Sequence, residues 1–97
     1  MTRIKISEIV KIVCQKIQKQ IDNDIKHNPY VVDIQLYIHR DNVPFWDLLE
    51  QSQRLKLVDA IRSYFIEKDW KVEIPSGVKE DGFDIDFHRN VKIVDDI

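Results

Sequence analysis

The spacing of the apolar residues changes along the chain from a period of three to four to a period of two. From residue 7 to residue 27 the apolar positions recur every third or fourth residue, at Val10, Val13, Cys14, Ile17, Ile21 and Ile25. This spacing predicts a helix with one apolar side. Asn28-Pro29 predicts its end, because the residue before a proline disfavours helical backbone angles.

Three later stretches alternate apolar and polar residues, which is typical of half-buried strands. They cover residues 30–39 (YVVDIQLYIH), 70–75 (WKVEIP) and a last strand that begins at residue 82 (GFDIDFHRNVKI). The last two stretches predict a hairpin. We expect the last strand to continue through Val91 and Ile93, because a second tight turn at Arg89-Asn90 would pair apolar with charged residues.

A second helix is predicted near residues 51–69, where Leu57, Val58, Ile61, Tyr64 and Phe65 share one side. Residues 44–50 form either its first turn or a separate short helix. Ile4 and Ile6 alternate with Arg3 and Lys5, so a short leading strand is an open alternative.

The order (β)αβαββ predicts an α+β fold, a two-layer sandwich with both helices packed on one face of the sheet. The sheet is expected to be mainly antiparallel, with three strands, or with four if the leading strand forms. The length of 97 residues is that of a single domain, residues 1–97.

The charge is uneven along the chain. Residues 1–27 carry six Lys/Arg and three Asp/Glu, a net of +3, whereas residues 28–97 carry nine and fourteen, a net of −5. The total of −2 gives no general attraction to nucleic acid. The chain has a single cysteine, its apolar runs are too short to span a bilayer, and it shows no leader of signal type. We therefore expect a cytoplasmic protein without a membrane contact. The composition, rich in isoleucine and lysine, favours a low-GC microbe or a phage as the source.

Asp84, Asp86 and His88 alternate in the last strand and therefore share one face, where they are weak candidates for a metal site. The alternation with Phe83, Ile85 and Phe87 already explains them as the solvent-facing side of the strand. A metal-dependent hydrolase is thus the second alternative function, and we expect no catalytic residue, no metal and no cofactor.

Four lysines fall within one sector of the first helix, opposite its apolar side: Lys5, Lys16, Lys19 and Lys26. A solvated charged face is the usual meaning of such a pattern. The alternative is weak, salt-sensitive contact with the phosphate backbone of a nucleic acid.

The candidates for a partner-binding surface are apolar or aromatic. Phe45 and Trp46 follow Pro44 and either cap the core or, if exposed, anchor a partner. Leu55 and Ile66 fall on the side of the second helix away from its apolar stripe, and Tyr37 lies on the sheet face that the helices leave bare. These features favour a small non-enzymatic binding or regulatory protein that acts through protein–protein interaction, as a homodimer or with another protein partner.

Overall fold

Two helices and four strands make up the structure, a computed structural model that describes residues 1–97. Two short 3₁₀ turns, Arg40–Asn42 and Trp46–Leu48, lie between the first strand and the second helix. The elements are α1 (Ile6–His27), β1 (Asp33–His39), α2 (Gln51–Glu67), β2 (Trp70–Glu73), β3 (Val78–Lys79) and β4 (Gly82–Arg89).

Both helices end where the sequence predicts, within one or two residues. The side of α1 on which apolar residues recur every third or fourth position is buried, at Ile9, Val13, Cys14, Ile17 and Ile21. The amide of Asn28 donates to the carbonyl of Asp24 at 2.9 Å and closes the last turn before Pro29. At the start of α2, the side-chain oxygen of Gln53 accepts a hydrogen bond of 2.9 Å from the amide of Glu50, which satisfies a backbone donor that the helix leaves unpaired.

β4 is the central strand of the sheet. β1 pairs with one side of it in antiparallel register, from Asp33 opposite His88 to His39 opposite Gly82. β2 and then β3 pair with its other side, also antiparallel. All pairings of the sheet therefore involve β4.

Both helices pack on one face of the sheet, as predicted, and the fold is α+β. The core consists of 17 buried apolar residues from both helices, the strands and the connection before α2. No polar or charged residue is buried. Phe87 lies at the centre of an aromatic cluster, with ring centroids 5.0 Å from Phe65 and 5.8 Å from Trp70. The opposite face of the sheet carries the polar residues of the alternating pattern and has no covering layer.

The structure decides one open alternative and departs from the sequence-based expectation in two strand ends. Residues 1–5 form no strand, and the fourth strand is instead β3, in the turn-rich stretch before Gly82. β4 ends at Arg89 rather than at Ile93, because its neighbours end there: Arg89 lies opposite Trp70, the first residue of β2, and β1 begins opposite His88. β1 begins at Asp33 rather than at residue 30, and before the strand Val31 packs against the core while Val32 is exposed.

Candidate functional site

The two edges of the sheet differ, because a side chain of α2 bonds to the backbone of one edge and no group of the protein bonds to the outward backbone of the other. The amide of Arg89 donates to the carbonyl of Val32 at 2.9 Å. At the other end of β1, the amide of Arg40 donates to the carbonyl of Asp81 at 2.7 Å. Even-numbered residues of β1 therefore point their backbone groups toward β4, and the odd-numbered ones point them away, since successive residues alternate. The outward-pointing residues between the strand ends are Asp33, Gln35 and Tyr37.

No hydrogen bond in the protein reaches the outward N–H and C=O groups of Asp33, Gln35 and Tyr37, which we call the free edge of β1. On the opposite side of the sheet, the Arg62 guanidinium of α2 donates to the outward carbonyl of Val72 in β2 at 3.0 Å. An unpaired strand edge is a template for another strand, and natural proteins usually cover or block it. Here α2 partly covers the β2 edge, whereas the β1 edge stays open.

A groove of about 240 Å³ runs between α1 and the free edge of β1, and we call it the edge groove. α1 contributes Val13, Lys16, Ile17 and Gln20, and β1 contributes Leu36, Tyr37 and Ile38. Five of the eight residues that line it are hydrophobic. The Lys16 ammonium donates to the carbonyl of Asn42 at 3.2 Å, so this cation lies at the end of the groove where β1 finishes. The edge groove thus combines unpaired backbone groups with an apolar wall and one positive charge.

Trp46 is not an exposed anchor, and the structure corrects that expectation. Its side chain is 2% exposed and its ring lies 6.3 Å from that of Phe83. The indole N–H donates to the carbonyl of Glu80 at 2.6 Å, and the Arg54 guanidinium lies 4.7 Å from the ring centroid. A tryptophan can be fully buried when its N–H has a partner. Trp46 therefore belongs to the core.

The other predicted partner-binding residues are exposed but lie in different places. Phe45 is 51% exposed and has a positive φ of 61°, an unusual backbone conformation for a bulky side chain. Leu55 and Ile66 lie on the exposed side of α2, at 51% and 42%. Tyr37 is 43% exposed and is the one predicted partner-binding residue that lines the edge groove.

The carboxylate of Asp81 interacts with the Tyr37 hydroxyl at the end of the bare sheet face. A hydrogen bond to Asp81 raises the pKa of Tyr37, with smaller contributions from desolvation and from the charges of Asp81 and Asp84. The same hydrogen bond lowers the pKa of Asp81. This pair makes the bare face acidic next to the groove.

Asp84, Asp86 and His88 do share the bare sheet face, as the alternation predicts. His88 does not turn toward the two aspartates of its own strand, because its Nδ1 is hydrogen-bonded to the carboxylate of Asp33 in β1. No group of three or more His, Cys, Asp and Glu side chains has the geometry to hold a metal ion. The structure therefore does not bring these three residues together as a metal site.

All four lysines of the predicted basic face, Lys5, Lys16, Lys19 and Lys26, are exposed on or just before α1. Lys16 alone among them lines the edge groove. Nucleic-acid contact by these lysines stays a prediction.

Cys14 lies in the core at 2% exposure. Desolvation raises the pKa of its thiol to about 11, and the charge of Lys68 opposes this only in part. The thiol is thus held in its unreactive protonated form.

The free edge of β1 was not predicted from the sequence, although the helix and strand residues that line the edge groove were assigned to the correct elements. No local signal identifies an edge, since the pattern of β1 is the same whether one side or both sides are paired.

Neither helix combines the length and the hydropathy needed to cross a membrane. No family model, curated protein or solved structure matches the chain.

Proposed function

We propose that this protein is a non-enzymatic binding domain that accepts an extended segment of a protein partner as an additional strand along β1. The observation that carries the proposal is the difference between the two sheet edges. Arg62 occupies a backbone acceptor at the β2 edge, whereas the free edge of β1 has no partner and borders an apolar groove. Strand addition at a sheet edge beside a groove is a recurring mode of peptide recognition.

The free edge can supply both affinity and register. Asp33, Gln35 and Tyr37 each present one N–H and one C=O, which fixes the spacing of a docked strand. Each hydrogen bond contributes about 0.5–1.5 kcal/mol net, and each aliphatic side chain buried in the groove contributes roughly 1.5–3 kcal/mol. Because association and ordering of the peptide oppose these terms, we expect dissociation constants on the order of 1–100 μM for a short segment.

The lining of the edge groove defines which segments fit. Every second residue of a docked strand faces the groove, so these positions require aliphatic side chains. An acidic residue is favoured beside Lys16, the only cation that lines the groove. The partner is therefore a protein with an exposed, extended stretch of alternating aliphatic residues followed by an acid, and we place this interaction in the cytoplasm.

A display library of random 12-residue peptides tests the proposal. The decisive variant is Gln35→Pro, which removes an outward N–H from the free edge without removing a hydrogen bond to β4. Gln35→Ala is the matched control, because it shortens the same side chain and keeps the N–H. We expect selected peptides to bind the unmodified protein and Gln35→Ala, and to lose at least about tenfold in affinity with Gln35→Pro.

Hydrogen exchange locates the binding site independently. Bound peptide should slow exchange of the amides of Asp33, Gln35 and Tyr37, which have no acceptor in the free protein. Peptides that bind Gln35→Pro as tightly as Gln35→Ala, or that protect amides elsewhere, would refute the proposal. The failure of any peptide to enrich would also count against it.

A further inference from the structure

Residues 91–97 (VKIVDDI), which we call the 91–97 segment, follow β4 without packing on the domain. Every residue of the segment is exposed, with Val91 at 57%, Ile93 at 85% and Val94 at 68%. None of them makes a hydrogen bond. Valine and isoleucine have high strand propensity, so this stretch has the composition of a strand that lacks a neighbour.

Asn90 directs the 91–97 segment away from the edge groove of its own molecule. Its side-chain amide donates to the carbonyl and the carboxylate of Asp69 at 3.0 and 3.1 Å. Asp69 immediately precedes β2, which lies on the opposite side of β4 from β1. The principal extents of the molecule are 63 × 22 × 20 Å, far longer than the ~33 Å of the 22-residue α1. The exposed segment thus projects away from the domain.

The charges of the 91–97 segment match those of the edge groove in one orientation. Lys92 precedes the apolar residues, and Asp95 and Asp96 follow them. At the groove, Asp33 lies where β1 begins and Lys16 lies where β1 finishes. A strand parallel to β1 with Lys92 beside Asp33 places Asp95 on the groove side, beside Leu36 and toward Lys16, and places Asp96 on the bare face. The antiparallel orientation instead places aspartates beside Asp33, where like charges repel.

The distances agree with this parallel orientation. Lys92 and Asp96 are four residues apart, which is about 13 Å in an extended strand. Asp33 and Tyr37, the ends of the free edge, have the same separation in sequence and therefore the same length. In this parallel register Ile93 lies beside Ile34 on the helix side of the sheet, and Ile97 lies beside Ile38, where Val13 lines the groove.

We propose that the 91–97 segment of one copy docks as a parallel strand on the free edge of β1 in a second copy, and that the exchange is reciprocal. The inference rests on the proposed function, because it names the partner of the same groove as a second copy of this chain. Both segments leave their molecules at the end where β1 begins, so a two-fold axis close to these ends brings each segment to the other groove. The product is a closed dimer of about 23 kDa, twice 11.6 kDa.

Light scattering in line with size exclusion tests the dimer with variants of donor and acceptor. Ile93→Asp disables the segment as a donor, and Gln35→Pro disables the edge as an acceptor. We expect about 23 kDa for the unmodified protein and about 11.6 kDa for each variant. Leu55→Lys is the control, because Leu55 is an exposed aliphatic residue of α2 outside the groove, and it should leave the dimer intact.

Mixing the two monomeric variants gives a second readout. Ile93→Asp keeps an intact edge and Gln35→Pro keeps an intact segment, so the mixture should form a heterodimer held by a single docked strand. A dimer that survives both variants, or one that Leu55→Lys dissociates, would overturn the inference. A strict monomer in which the edge amides are protected would mean that the segment folds back on its own groove, and this too would overturn it.

A synthetic peptide of residues 90–97, blocked at both ends, separates this inference from the proposed function. It should bind the monomeric Ile93→Asp protein, and Lys16→Glu should weaken binding about tenfold. A peptide with Asp95→Lys and Asp96→Lys should restore affinity for Lys16→Glu. If library peptides bind the groove and the 90–97 peptide does not, the inference fails and the proposed function stands. If neither binds, both fail.

Discussion

Replacing Gly82 with alanine should destabilise the protein far more than the same change at Gly77. Gly82 is buried at the start of β4 with φ of 143°, opposite His39 of β1. A Cβ there would lie 2.1 Å from the carbonyl oxygen of Ile38, 3.0 Å from its carbonyl carbon and 3.1 Å from the Cα of His39. All three atoms belong to the backbone of the paired strand, so relief of the overlap requires β1 to move away from β4.

The expected loss combines two costs. A side chain forced into a sparsely populated backbone region costs about 1–3 kcal/mol. Displacement of a ladder hydrogen bond adds roughly 1–2 kcal/mol. The sum, about 2–5 kcal/mol, is a large part of the roughly 5–15 kcal/mol by which a domain of this size is stable. Gly77 has φ of 67° and no atom within 4 Å of the added Cβ, so only the backbone cost remains, about 1–2 kcal/mol.

Urea unfolding followed by tryptophan fluorescence measures the difference, because Trp46 is buried in the folded state. In thermal unfolding, 1 kcal/mol shifts the Tm of a domain of this size by about 4–8 °C. Gly82→Ala should therefore lower Tm by at least about 8 °C and Gly77→Ala by about 4–16 °C, with the larger loss at Gly82. Equal losses in the free energy of unfolding at the two glycines would refute the close approach of β1 and β4 at this point.

Three further predictions concern single side chains. Trp46→Phe removes the hydrogen bond to the Glu80 carbonyl and should lower the free energy of unfolding by about 2 kcal/mol, measured by urea titration followed by circular dichroism. With its pKa raised to about 11, Cys14 should react with a thiol reagent at pH 8 about 100-fold more slowly in the folded than in the unfolded protein. Tyr37→Phe removes the donor that lowers the pKa of Asp81, so an NMR titration should find that pKa raised toward its ordinary value. Because the folded pKa of Asp81 is lowered, its contribution to stability should be present above the unfolded pKa and be lost as the pH falls.

The helices could be predicted from sequence because their signals are local. Val13, Ile17 and Ile21 repeat with helical spacing, and Asn28-Pro29 is a strong stop. The end of β4 could not be predicted, since the apolar Val91 and Ile93 continue the strand pattern almost unbroken. β4 ends where its neighbours β1 and β2 begin, at Asp33 and Trp70, and these strands lie beside β4 only once the chain has folded.

The candidate site was only partly predictable for a similar reason. Tyr37 was expected on an exposed face, and it lines the edge groove. The sequence does not specify which strands lie at the edges, because the order β1-β4-β2 depends on pairing between residues 43 to 55 positions apart. For Trp46 the sequence left open whether the side chain caps the core or is exposed to a partner. The structure shows it buried, with its indole N–H bonded to the distant carbonyl of Glu80.

The central position of β4 has a consequence for folding during synthesis. β1, β2 and β3 leave the ribosome before β4, and none of them has a hydrogen-bonded neighbour until β4 appears, since every pairing in the sheet involves it. The helices can associate earlier, but their apolar sides remain partly uncovered in the meantime. We therefore expect the nascent chain to stay in a loosely collapsed state, accessible to chaperones and proteases, until β4 is synthesised. β4 then pairs with β1 on one side and with β2 and β3 on the other. Folding is expected to be cooperative and slow for a chain of this length, because the pairing of β1 with β4 joins residues 43 to 55 positions apart.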